Sequence, residues 1–67
     1  MNLKTRFRIA LAVSGMTAKE WAAEHGVQYV TLYKLLKGHT TSVRLSREIE
    51  AFIEEQFETL KTALQAA

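Results

Sequence analysis

Apolar residues return at three- and four-residue steps along most of the chain, the period of helices that each bury one face. Leu3, Phe7, Ala10, Leu11 and Ser14 fall on one side of a first helix that Asn2 can cap and Gly15 ends. The stretch "TAKE", Thr17 to Glu20, is a capping box, so a short second helix starts at Ala18. It sets Trp21, Ala22 and His25 along one stripe before Gly26 stops it. A new period opens at Val27. On a third helix from about Gln28 to Lys37, Leu32, Leu35 and Leu36 share one arc, and Val30, Tyr33, Lys34 and Lys37 occupy the opposite one. Gly38 closes that helix in a left-handed conformation, and Thr41 or Ser42 offers the next cap.

Beyond that loop nothing breaks the pattern. Leu45, Ile49, Phe52, Ile53, Phe57, Leu60 and Leu64 predict one helix from about Val43 to Gln65, roughly 33 Å long. Three short helices cannot cover it. Phe57, Leu60 and Leu64 are therefore left to bind a second copy, each contributing about 1.5 to 3 kcal/mol before association costs, and Phe52 is expected on the same dimer face. The expectation is an all-α fold in one domain, 1–67, with the long helix as its dimerising arm.

Composition narrows the function. A chain of 67 residues buries barely enough apolar surface to stay folded, which argues against a large active-site cleft. It has no cysteine to staple the fold or to ligate metal, no proline, and three glycines spaced as helix stops. No apolar run approaches the roughly 18 residues of a membrane span, and charges crowd the short apolar stretch near the N-terminus. A soluble, cytoplasmic protein is expected. The net charge of +2 conceals a division: residues 1–47 carry eight Lys or Arg against two Glu, and residues 48–67 carry five Glu against one Lys. A basic front and an acidic tail suit a surface for a polyanion, followed by a segment held off it.

Between the second and third helices lie only Gly26, Val27 and a cap, too few residues for a side-by-side hairpin, so the pair is expected to cross steeply. Through "GMTAKEWAAEHGVQYVTLYKLLKG", Gly15 to Gly38, the sequence resembles the lambda-repressor and Cro-like helix-turn-helix family, with the motif at about 17–37. That resemblance implies double-stranded DNA as partner and the third helix in the major groove of a pseudo-palindromic operator. It further implies Gln28, Tyr29, Val30, Tyr33 and Lys34 as base readers, with Thr17 and Thr31 near phosphates. Gln28 can pair with adenine, Lys34 with guanine, and Val30 with a thymine methyl. Lys37, His39, Thr40, Arg44 and Arg47, at the end of the helix and after it, are expected on phosphate oxygens, and Arg6 more weakly. Gln28 departs from the family, which usually has Ser or Thr at that cap, and the long last helix replaces two short ones. The resemblance implies a homodimeric repressor of a phage or mobile-element operon, and the lack of a second domain in the sequence favours repression over activation.

Other readings of the same residues are weaker. Trp21 is most simply core. Tyr29 lies next to Leu36 on the helical wheel and is expected at the core boundary, whereas Tyr33 lies across from the leucines and is expected to read DNA. His25 and His39 lack the partners of a metal site, and Ser14, Ser42 and Ser46 lack a base and an orienting carboxylate. No metal, cofactor, small-molecule ligand or catalysis is therefore expected. The alternative is a protein-interaction module, antitoxin-like or adaptor, gripping its partner with the last helix. RNA fits less well, since its deep major groove excludes a helix.

Overall fold

A computed structural model describes residues 1–66, in which the chain forms four helices: α1 (Leu3–Ser14), α2 (Ala18–Glu24), α3 (Tyr29–Leu36) and α4 (Val43–Ala66). Each start has a local cause. The Asn2 side chain accepts from the Thr5 amide at 2.9 Å, and the Ser42 hydroxyl accepts from the Leu45 amide at 3.2 Å. At α2, the Glu20 amide donates to Thr17 Oγ1 and the Thr17 amide donates to Glu20 Oε1, completing the capping box. Gln28 caps α3 with its backbone alone.

The first three helices end alike. At α3 the His39 amide donates to the Lys34 carbonyl at 2.8 Å and the Gly38 amide to the Leu35 carbonyl at 3.0 Å, which satisfies carbonyls the helix leaves open. Gly26 does the same work in the turn between α2 and α3. Its φ of 67° is a left-handed conformation that a Cβ would strain even though the space beside it is empty.

Packing follows the predicted stripes. α1 packs mainly on α4, and α3 mainly on α2. Phe7, Ala10 and Leu11 of α1, Trp21 and Ala22 of α2, Leu32 and Leu35 of α3, and Leu45, Ile49 and Ile53 of α4 make one buried core. At its centre Phe7 meets Trp21 edge to face at 5.1 Å, and Phe52 closes on both rings at 5.7 and 5.8 Å. Phe52, expected on a dimer face, is thus half-buried in the chain's own core. It sits on the α1 side of α4, within reach of the two large rings. Phe57 also leans on this core.

Two polar ties brace α4 against the rest. Arg6 of α1 reaches Glu50 with two hydrogen bonds, at 3.0 and 3.3 Å. His25, stacked on Trp21 at 3.8 Å, meets Glu48 through Nδ1 at 3.1 Å. Arg44 lies 3.2 Å from the other Glu48 oxygen, close enough for attraction but not aligned for a hydrogen bond. The Trp21 indole N–H is buried without a protein acceptor among the described residues, a cost of about 1–3 kcal/mol that the surrounding aromatic packing must offset.

The hydrogen bond with His25 and the Arg44 charge hold the Glu48 carboxyl below its ordinary value of 4.5, against partial desolvation. A carboxylate lowered by folding stabilises the fold fully above its unfolded pKa, and that share is lost as pH falls through the folded one. Wild type is accordingly expected to lose more melting temperature between neutral and acid pH than Glu48→Gln does. Parallel thermal melts check this, and equal losses would remove Glu48 from the account.

Candidate nucleic-acid interface on α3

Leu32 and Leu35 pin α3 to the core, and the 100° step of a helix turns the intervening positions away from it. Val30, 57% exposed, and Lys34 and Lys37 point outward, with Thr31 on one flank and the tyrosines on the other. No acidic residue lies in α3. The Gln28 side chain, unused by the cap, is exposed at the head of this face.

The tyrosines behave differently from the expectation that separated them. Tyr29 and Tyr33 are 40% and 39% exposed, and their rings stack at 6.1 Å, 30° apart. One helical turn separates them, so packing on each other covers more apolar surface than either could cover alone. They wall a cleft of about 380 Å³ toward α1, whose floor includes Phe7, Leu11, Leu32 and Leu36 and whose rim includes Lys4 and Arg8. Tyr29 is therefore no more a core residue than Tyr33.

Three ammonium groups gather on this pair. Lys37 Nζ lies 4.6 Å from the Tyr33 ring centre, Lys4 Nζ 5.6 Å from the same ring, and Lys19 Nζ 5.7 Å from Tyr29. Lys4 and Lys19 had no place among the sequence-predicted site residues. Both come from other helices, α1 and α2, and only tertiary packing puts them beside the rings. Tyr29 and Tyr33 at a four-residue spacing did carry a signal for stacking.

The expected phosphate residues divide. Thr17 is exposed at the head of α2, its hydroxyl oxygen already accepting from Glu20. Thr31, Lys37, His39, Thr40 and Arg47 are exposed on α3, on the loop after it and on the first turns of α4. Arg44 and Arg6 are engaged with Glu48 and Glu50, so each would have to share or leave its carboxylate to hold a phosphate. Leu60 and Leu64, 37% and 68% exposed, lie far along α4, away from this surface.

Chemically, the face offers ammonium and hydroxyl donors, one free amide and an apolar methyl-bearing side chain. These suit a polyanion with readable edges. Among the described residues no three His, Asp or Glu side chains come together as a metal site, and no helix is long and apolar enough to cross a membrane. Compared with family models, curated proteins and solved structures, the chain finds no match in any of the three.

The ammonium group of Lys37 beside the ring, with the charge of Lys4, holds the Tyr33 phenol below its ordinary 10.0. With Tyr29→Phe leaving a single phenol, ultraviolet titration is expected to give a midpoint below 10.0, and adding Lys37→Met is expected to raise it. A midpoint indifferent to Lys37 would break the cluster apart.

Proposed function

We propose that the protein is a sequence-specific double-stranded DNA-binding regulator, a homodimeric repressor acting in the cytoplasm of a prokaryotic or phage-infected cell. The observation that carries this is α3 itself. Its leucines are spent on the core, and its outward face is basic, free of acid and bordered by lysines from two other helices. A B-form major groove about 12 Å wide accepts one α-helix. With α3 lying in it, Gln28, Val30 and Lys34 meet base edges, and Tyr29 and Tyr33 offer rings to thymine methyls and hydroxyls to base or phosphate.

Thr17, Thr31, Lys37, His39, Thr40 and Arg47 then border the groove, where contacts set register without reading sequence. The resemblance to the Cro-like family through Gly15–Gly38 supports the same docking and adds repression of a phage or mobile-element operon. The acidic half of α4 points the opposite way in charge, which keeps the arm clear of the phosphates. A second reading, a protein-interaction module, draws on the uncovered arm at Leu60 and Leu64 and gives α3 no ligand.

Fluorescence anisotropy on a preferred duplex separates the two. Tyr33→Ala and Lys34→Ala are each expected to weaken specific binding by about 1–3 kcal/mol with the helical signal unchanged. Lys37→Ala is expected to weaken all sequences alike and to reduce the salt slope by about one. If the first two variants bind as wild type does, α3 is not in the groove.

A further inference from the structure

From Glu58 to Ala66 every residue of α4 is exposed, yet Phe57, Leu60 and Leu64 continue the stripe that Ile49 and Ile53 bury in the core. With Met1 and Ile9 of the N-terminal region they line an apolar groove of about 430 Å³. The steps Ile53, Phe57, Leu60, Leu64 run four, three, four, the spacing of a coiled-coil seam. What flanks that seam identifies its occupant. Glu54 and Lys61 each follow a seam residue and lie two turns apart on one edge, while Gln56 and Ala63 make the other edge uncharged.

In a parallel pair of such helices the charged edge would face the neutral one, and neither charge would find an opposite. In an antiparallel pair like edges face. With Phe57 opposite the second copy's Leu60, Glu54 falls within about 3 Å of level with the second copy's Lys61, and the twofold axis repeats the pair. Shape agrees. The molecule with its arm measures 39 by 22 by 16 Å, so α4 accounts for most of its length, and antiparallel overlap of two arms carries the two helix-turn-helix ends apart.

We propose that the α4 arm pairs antiparallel with the arm of a second copy of this chain, through Phe57, Leu60 and Leu64, with reciprocal Glu54–Lys61 ion pairs along one side of the seam. This gives the dimer in the proposed function its geometry, and it stands whether or not α3 binds DNA. Parallel arms and a dimer through the α3 face are both set aside.

Sedimentation equilibrium of the full chain without DNA tests it. Wild type is expected to dimerise at micromolar concentration. Glu54→Lys and Lys61→Glu should each raise the dissociation constant about fivefold or more, and the double exchange should restore it, because opposite charges meet again. Orientation is read separately, since the chain has no cysteine of its own. A mixture of Glu54→Cys and Lys61→Cys chains should oxidise to the mixed disulfide, and neither alone should cross-link well. A monomeric wild type, singles that the double exchange does not rescue, or homotypic cross-links would overturn the seam. A dimer that passes these tests but binds no duplex would overturn the DNA-binding reading and leave the seam standing.

Discussion

The edge-to-face contact of Phe7 on Trp21, with Phe52 closing over both, joins three of the four helices at one point. A domain this small has few large side chains to bury, so these rings supply much of the apolar area that opposes chain entropy. Removing the contact would separate α1, α2 and α4 together. α3 has no ring in the cluster and hangs on Leu32 and Leu35, which sit in the space the cluster leaves. The orientation of the outward α3 face therefore depends on packing that occurs on its other side.

That dependence gives the surface its character. Because the leucines are used inward, the polar and basic residues of α3 have nowhere to go but out. Because α1 and α2 are fixed by the aromatic cluster, Lys4 and Lys19 arrive at the tyrosines without being near them in sequence. Positive charge brought together this way raises the local potential for a polyanion and is screened by salt. The two polar ties, Arg6 to Glu50 and His25 to Glu48, draw residues of the front half onto the acidic α4. Their geometry orders the helices more than their strength does, since partly exposed pairs contribute little.

Most of the fold was legible because its causes are local. Capping at Asn2, Thr17 and Ser42, glycine stops at 15, 26 and 38, and the helical period place all four helices within a residue or two. The core stripes of α1, α2 and α3 follow from the same period. The long α4 was legible too, but which of its apolar residues face inward was not, because Phe52 joins the core through rings on helices far away in sequence. The site was half legible. Its outward residues on α3 follow from the leucines, whereas Lys4, Lys19 and the engagement of Arg6 and Arg44 are tertiary facts. The stacking of Tyr29 on Tyr33 escapes a comparison of each ring with the leucines alone, because it depends on the four-residue spacing between the two.

The claim that α3 reads duplex DNA is tested most directly by selecting binders from a pool of random duplexes at low and at physiological salt. A groove-reading helix on a twofold dimer is expected to enrich a palindromic site, with affinity falling steeply as salt rises. Recovery of sequences no different from the starting pool at both salt concentrations would contradict it.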